Sequence, residues 1–322
     1  MSNTEAAPDE VLCETGPADD VEVLEPRDVP LGGPRAMTVR RTLPQRQRSL
    51  VGAWCFLDHY GPDDVAETGG MVVPPHPHTG LQTVSWLFSG TIEHRDSAGF
   101  HALVQPGELN LMTAGSGVSH SERSTAGTTV LHGAQLWVAL PEHAREVERT
   151  FEHYAPPVVE DDEGRWRAQV FLGSLLGSSS PVETHTPLLG AELALEPGAE
   201  LVLDVDPTFE LAVLVDSGSV SVHGRRVEKD ELAYVAPGRD VLRLATSEPT
   251  RLLVLGGPPF GEQIVMWWNF VGRTHEDVVA YRERWHAEIA AGGGPAYGLP
   301  DGDPDPPLPA PELPNARIKP RT

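Results

Sequence analysis

The chain has 322 residues, of which 32 are glycine and 31 are proline. Together these two residue types exceed the roughly 12% that they make up in average proteins, and such a composition excludes a long helical bundle. Its formal net charge of −23 disfavours direct binding to nucleic acid, because phosphates repel an acidic surface. No run approaches the roughly 20 apolar residues of a membrane span, and the first residues lack the basic and apolar regions of a signal peptide, so we expect a cytoplasmic protein without membrane contact.

The first part of the chain divides into a polar lead and a β-rich module. Residues 1–20 are acidic, contain two prolines and offer few apolar side chains to bury, so they are predicted to be disordered. In residues 21–154, short runs rich in valine, leucine, threonine and aromatic side chains alternate with turn signals. This alternation is typical of an all-β barrel or sandwich.

A second β-rich module follows a linker at residues 155–163, where two prolines meet an acidic run. Residues 164–290 repeat the rhythm of short strands and end in one helix, predicted from an N-cap at Thr274 to Ala287. Residues 291–322 are rich in proline and glycine and lack any apolar period, so a disordered tail is predicted. The expected fold is therefore all-β, with two tandem barrels of the jelly-roll type and a short C-terminal helix.

The segment PPHPHTG contains the first candidate ligands, His76 and His78. Residues two apart on a strand point to the same face, so a strand here would aim both imidazoles in one direction. Because 13 histidines in a chain of this length produce roughly 0.5 such pairs by chance, this pair is not specific by itself.

A second pair, His120 and Glu122, lies in the segment GSGVSHSE, 42 residues beyond His78. One antiparallel barrel could bring both pairs together and supply three imidazole nitrogens and one carboxylate oxygen. Such ligands without a thiolate favour one divalent ion, Fe(II), Mn(II), Ni(II), Cu(II) or Zn(II), and Fe(II) suits a site whose octahedral positions stay open. The alternative is that these are surface or hydrogen-bonded histidines without a metal.

Several longer segments resemble successive motifs of the pirin family, a branch of the cupin superfamily. They are GAWCFLDHYGP, HPHTGLQTVSWLFSG, HRDSAG, QPGELNLMTAGSGVSHSE, HGAQLWVALP and NFVGRTHED. The resemblance spans about residues 20–287 and implies two tandem cupin barrels, with one iron-type metal in the first barrel only. Carried over residue by residue, the family's ligands fall on the same four side chains: His76, His78, His120 and Glu122.

The sequence also predicts roles for residues near the four candidate ligands. Many cupins have a glutamate where this chain has Gln82, and since an amide carries no charge, Gln82 is expected to hydrogen-bond to a ligand instead. Strand parity places Val84, Trp86 and Phe88 on the face of the two histidines, where they could line an apolar substrate pocket. Ordinary core packing is the alternative for these three residues. In and just after HRDSAG, His94, Asp96 and His101 could support the ligands or organise a hairpin turn.

The resemblance implies two different functions. One is a quercetin or flavonol 2,3-dioxygenase, which opens a small aromatic substrate with O2 and releases carbon monoxide, with Glu122 as the catalytic proton acceptor. The other is a redox-sensing regulator, whose iron state controls binding to a protein partner such as a transcription factor or metabolic enzyme. The acidic surface suits a protein partner better than DNA.

Overall fold

The structure of the protein, a computed structural model, describes residues 11–13, 21–31, 37–66 and 70–314. The predicted all-β architecture of two tandem barrels with one C-terminal helix is confirmed. Each module contains one seven-stranded and one four-stranded antiparallel sheet. Within the described ranges, no helix is both long and apolar enough to cross a membrane.

The first module carries the predicted ligands. The strands of its larger sheet, in spatial order, are β13 (Thr150–Tyr154), β10 (Leu109–Thr113), β7 (Leu81–Ser89), β12 (Val130–Ala139), β5 (Trp54–Asp64), β4 (Met37–Leu43) and β3 (Arg27–Leu31). Those of its smaller sheet are β6 (Val72–His78), β11 (Val118–Ser124), β8 (Ile92–Asp96) and β9 (His101–Val104). A short 3-10 helix, Glu142–Ala144, precedes β13.

The second module repeats this plan. Its larger sheet contains β14 (Val158–Glu160), β15 (Trp166–Leu172), β18 (Leu189–Leu195), β25 (Thr250–Gly257), β20 (Glu210–Ser217), β23 (Leu232–Val235) and β2 (Val21–Leu24). Its smaller sheet contains β19 (Glu200–Asp204), β24 (Val241–Ala245), β21 (Val220–Val222) and β22 (Arg225–Val227). The remaining strands form a hairpin, β16 (Ser174–Leu175) with β17 (Ser178–Ser179), and a three-stranded sheet of β1 (Val11–Cys13), β26 (Ile264–Trp267) and β27 (Phe270–Gly272).

Strand pairing corrects the predicted module boundaries. Strand β2 lies within the predicted first module but pairs with β23 at the edge of the second module's sheet. Strand β14 lies within the predicted linker, 155–163, and pairs with β15 of the second module. In the predicted disordered lead, 1–20, strand β1 pairs with β26, and the rest of that segment lies outside the described residues. Such long-range pairing is invisible to local composition.

The helix α1 spans His275–Ala291, four residues longer than predicted. Thr274 caps it as expected, because its side chain accepts the amide of Asp277 while the Asp277 carboxylate accepts the Thr274 amide. Val278 and Trp285 lie on one side of the helix and are fully buried, in a cluster with residues of β26 and β27. The helix therefore packs against the three-stranded sheet.

The two modules share one hydrophobic core. The buried cluster between them joins Val84, Trp86 and Leu136 of the first module to Phe171 and Leu214 of the second. The rings of Trp86 and Phe171 stack with their centroids 4.5 Å apart. Because each of these side chains is removed from water only when both modules are in place, the core holds the modules together.

The predicted disorder of the tail is wrong for residues 292–314. Here the carboxylate of Glu288, on α1, accepts the backbone amides of Ala296, Tyr297 and Gly298 at 2.7, 2.8 and 3.2 Å. The ring of Tyr297 is fully buried. The segment has no regular secondary structure, so periodicity could not reveal it, and its order comes from contacts with the rest of the fold. Residues 315–322 lie outside the described residues.

This tail segment lies on the outer side of β6 and β11. The Arg123 guanidinium pairs with Asp303 at 2.5 Å and with Asp305 at 2.9 Å. The Leu308 amide donates to the carbonyl of Pro75 at 2.8 Å. The tail therefore braces the two strands that carry the predicted ligands.

Replacing Tyr297 by alanine should lower the free energy of unfolding by about 3 kcal/mol, because truncating a buried aromatic ring leaves a cavity. Urea unfolding followed by circular dichroism measures the change. Val202→Ala, at a side chain that is 50% exposed, is the matched control and should change stability by less than about 0.5 kcal/mol. Equal effects of the two substitutions would contradict a packed tail.

Candidate metal centre

Three histidines lie side by side where strands β6 and β11 pair. In this antiparallel pair, His120 is directly opposite His76, and Val118 is opposite His78. Directly opposed residues and residues two apart on a strand share one face of the sheet. The three imidazoles therefore point to the same side, and all three are buried, with 0–1% of each residue exposed.

A bulge in β6 determines which residue lies opposite Glu122. His120 pairs with His76, and Glu122 pairs with Val73. Between these two pairs β6 advances by three residues and β11 by only two. The Pro-Pro pair at 74–75 supplies the extra residue, and proline fits a bulge because it has no amide hydrogen to give to a regular ladder. Glu122 thus stays on the same face of β11 as His120, two residues further along.

The separation of the imidazole nitrogens fits a metal ion. Nε2 of His78 and Nε2 of His120 are 3.0 Å apart. Two ligands at right angles around an ion, with bonds of about 2.1 Å, are separated by about 3 Å. One ligand atom from each of His76, His78 and His120 lies within 4.8 Å of the others. The three rings can therefore converge on one ion with little movement.

The backbone helps to orient His76. Its Nδ1 is 2.8 Å from the carbonyl oxygen of Pro74, so Nδ1 carries the hydrogen and donates it. In a neutral ring the lone pair is then on Nε2. A hydrogen bond of this kind fixes both the tautomer and the orientation of a metal-binding histidine.

Glu122 contributes the carboxylate of the site. It is buried, with 1% exposed, and forms a second potential ligand group with His94 and His120. The negative charge of Glu122 also affects Tyr60. Burial is the main cause that raises the pKa of Tyr60 well above its usual value, and the charge of Glu122 raises it further. The Tyr60 hydroxyl therefore keeps its proton inside the first barrel.

Burial keeps the three imidazoles neutral, which is the form that binds metal. Burial lowers the pKa of His76 from 6.5 to about 4, and lowers those of His78 and His120 well below 6.5. A neutral ring offers a lone pair, whereas a protonated ring offers none. The donor set of three imidazoles and one carboxylate without sulfur therefore suits a first-row divalent ion.

The metal-free protein should lose stability as the pH falls from about 6.5 to about 4. In this range the unfolded chain protonates His76 but the folded chain does not, so each pH unit costs roughly 1.4 kcal/mol. Urea unfolding at about pH 7 and at about pH 5 tests this expectation, with His76→Gln as the comparison. The variant should show a smaller loss of stability between these two values. An equal loss in both proteins would exclude His76 as a contributor.

Gln82 occupies a different place from the predicted one. Its side-chain amide donates to the hydroxyl of Thr113 at 2.8 Å. The interpretation of Gln82 as a hydrogen-bond partner of a ligand is therefore not supported by the structure, since its donor is used within the larger sheet.

The predicted substrate pocket of Val84, Trp86 and Phe88 is also corrected. Val84 and Trp86 are fully buried in the core between the modules, and the Trp86 indole donates to Glu192 of the second module at 2.6 Å. Phe88 packs on the same side, with the Arg251 guanidinium 4.2 Å from its ring centroid. This face of β7 thus faces the second module, and ordinary packing explains the three residues.

A second histidine cluster joins the modules at this interface. Asp216, on β20, accepts hydrogen bonds from His59 and Arg251, both at 2.7 Å, and Nε2 of His132 lies 2.5 Å from the same carboxylate as an ion-pair partner. These nitrogen–oxygen distances are those of hydrogen bonds and are shorter than the separation of about 3 Å between neighbouring metal ligands. We interpret the cluster as a buried ion-pair network, and sequence reasoning missed it because its members come from strands far apart in the chain.

Both β modules of the chain are similar to known proteins. The Pirin family profile matches residues 36–138, and the Pirin C-terminal cupin domain profile matches residues 190–289. A Pseudomonas aeruginosa protein named "Putative quercetin 2,3-dioxygenase PA1205" is 40% identical over 322 residues, covering 98% of each chain. A "Pirin-like protein" of Caulobacter vibrioides is 36% identical over 260 residues, covering 77% of this chain and 88% of that protein.

Solved structures extend this comparison. A crystal structure of quercetin 2,3-dioxygenase from Acinetobacter baumannii matches with a TM-score of 0.86 and 36% sequence identity, covering 94% of this chain and 98% of that chain. The match spans both β modules, so the likeness is one of the whole architecture.

Proposed function

Because this chain belongs to the pirin family, and has the two cupin domains of that family, we propose that it is a metal-dependent flavonol 2,3-dioxygenase with quercetin or a close relative as substrate. The observation that carries the proposal is the buried group of His76, His78 and His120 with Glu122 beside it. We propose Fe(II) as the metal, held by these four side chains. The names of the similar proteins from Pseudomonas aeruginosa and Acinetobacter baumannii support the same activity.

The proposed chemistry divides between the ion and the protein. When bound, the ion would act as a Lewis acid and template for the flavonol oxygens. Glu122 would accept the proton of the flavonol hydroxyl on a carboxylate oxygen. The Tyr60 hydroxyl, which keeps its proton, can donate a hydrogen bond to the substrate beside Glu122. Burial of these groups excludes water and strengthens each of these interactions.

An apolar cluster inside the first barrel lies beside Glu122. Val73 lies directly opposite Glu122 in the strand pairing and belongs to a buried apolar cluster with Tyr60, Leu87 and Leu131. Leu87 lies on the face of β7 opposite to Val84 and Trp86. We therefore propose that the substrate lies against this cluster instead of the pocket expected from strand parity.

A direct assay tests the proposal. The metal-free protein is loaded with Fe(II) without oxygen, and quercetin and air-saturated buffer are then added. We expect consumption of quercetin and O2 with release of carbon monoxide, well above the rate of the metal-free protein. No consumption by a protein that holds its metal would refute the enzyme and leave the regulatory alternative.

The variant Glu122→Gln tests the role of the carboxylate while the three histidines stay unchanged. It should abolish turnover even at metal concentrations that restore full loading, because an amide cannot accept the proton. Glu160→Gln makes the same change at an exposed residue of the second module and should keep the full rate. Equal rates in the two variants would contradict the role proposed for Glu122.

A further inference from the structure

A buried chain of hydrogen bonds runs from Asp96 through His94 to His120. Nε2 of His94 is 3.2 Å from Oδ2 of Asp96, and Nδ1 of His94 is 3.3 Å from Nδ1 of His120. At most 3% of any of the three residues is exposed. In the pairing of β8 with β11, Asp96 is directly opposite His120, so the chain crosses between neighbouring strands.

When His94 is neutral, the donor of each hydrogen bond along this chain is determined. A carboxylate only accepts hydrogen bonds, so Nε2 of His94 carries a hydrogen and donates it to Asp96. A neutral His94 then has its lone pair on Nδ1, and Nδ1 of His120 must be the donor. This leaves the lone pair of His120 on Nε2, the atom that lies 3.0 Å from Nε2 of His78.

The start of the chain is fixed by the backbone. Oδ1 of Asp96 accepts the amides of Ala98 at 2.8 Å and Phe100 at 3.1 Å, so the carboxylate cannot rotate freely. The ring of Phe151 lies against His94, with their centroids 4.6 Å apart. Asp96 and His94 are thus held in place without help from a metal.

We propose that Asp96 and His94 are positioning residues that hold His120 in its Nδ1–H tautomer and so keep its Nε2 available to bind the ion. A histidine side chain in water favours the opposite tautomer, with hydrogen on Nε2, which cannot bind metal through that atom. The inference rests on the metal centre of the proposed function, but it does not depend on the substrate. It also gives the HRDSAG segment a role beyond that of a hairpin turn.

Asp96→Asn tests the direction of the chain with almost no change in volume. The amide oxygen should stay with the two backbone amides, which places the amide NH2 toward His94. His94 would then accept at Nε2 and donate from Nδ1, and His120 would have to carry its hydrogen on Nε2. We therefore expect metal binding to weaken by about 10- to 100-fold, the usual cost of losing an outer hydrogen-bond partner.

Two measurements on the full chain, both without substrate, test the predicted tautomer and the predicted loss of metal affinity. Nitrogen-15 NMR of the metal-free protein reports the tautomer of His120, and competition with a chelator reports the affinity for Co(II). The wild-type protein should have the Nδ1–H tautomer, and Asp96→Asn should have the Nε2–H tautomer and the weaker affinity. A wild-type Nε2–H tautomer, or an unchanged Co(II) affinity in Asp96→Asn, would overturn the proposal.

Matched variants show whether Asp96 and His94 position His120, are needed only for folding, or bind the metal themselves. Glu93→Gln removes one negative charge on the same strand, where Glu93 pairs with Arg95 and His101, and should leave Co(II) affinity unchanged. His94→Gln keeps an acceptor for His120 and should retain more affinity than His94→Leu, which has none. If both His94 variants lose the metal equally, the His94 ring is itself a ligand and the proposal fails. Normal Co(II) binding without quercetin turnover would refute the proposed enzyme but not this inference.

Discussion

Replacing His120 by alanine is expected to weaken divalent metal binding by at least about 100-fold, because loss of a direct ligand costs more than the 10- to 100-fold loss caused by an outer partner. His120 lies close to both His76 and His78, with ring centroids 4.4 and 4.9 Å away. Competition with a chelator, using Fe(II) or Co(II), measures the loss.

The second module offers the matched control for this prediction. His223 lies in the turn between β21 and β22, and His223→Ala should leave the metal content and affinity unchanged. Circular dichroism should show the same β structure for both variants. Retention of the wild-type metal affinity by His120→Ala would refute the proposed centre.

Replacing Asp216 by alanine should lower the free energy of unfolding by about 3 kcal/mol, because removing one member of a buried ion-pair network leaves the others uncompensated. Burial by itself would raise the pKa of Asp216, but hydrogen bonds from His132 and His59 hold it well below its usual value. The carboxylate therefore stays charged at neutral pH and receives donors from both modules.

Urea unfolding, followed separately by tryptophan fluorescence and circular dichroism, measures this effect. Asp204→Ala removes the same charge from an exposed position of the second module and should change stability by less than about 0.5 kcal/mol. Metal affinity should be unchanged in Asp216→Ala, because the cluster lies at the module interface and its members are not among the proposed ligands. Equal stability of the two variants would contradict a structural role for this cluster.

The positions of the four candidate ligands could be predicted because their pattern is local. A period of two on a strand aims His76 and His78 in one direction, and the same period links His120 with Glu122. That both pairs meet follows from one antiparallel pairing, β6 with β11. The hydrogen-bond network around them was harder to predict, because Asp96 and His94 reach His120 through strand register rather than through sequence spacing.

Two local predictions were wrong for physical reasons that sequence does not contain. Parity correctly groups Val84 with Trp86, but which face of β7 meets the second module depends on how the barrels dock. The tail around Tyr297 lacks periodicity, and its order comes from backbone hydrogen bonds to Glu288 and from burial against the first module. In both cases the deciding contacts join residues far apart in the chain.

By itself, the sequence determined the all-β class, the two successive barrels, the capped helix at Thr274 and the identity of the four candidate ligands, because turn residues, strand alternation and capping act over a few residues. Tertiary structure alone decided the exchange of β2 into the second module, the ion pairs around Asp216, the packed tail and the contact between His94 and His120. These features depend on register and docking between distant strands, and such contacts form only when the whole chain has folded.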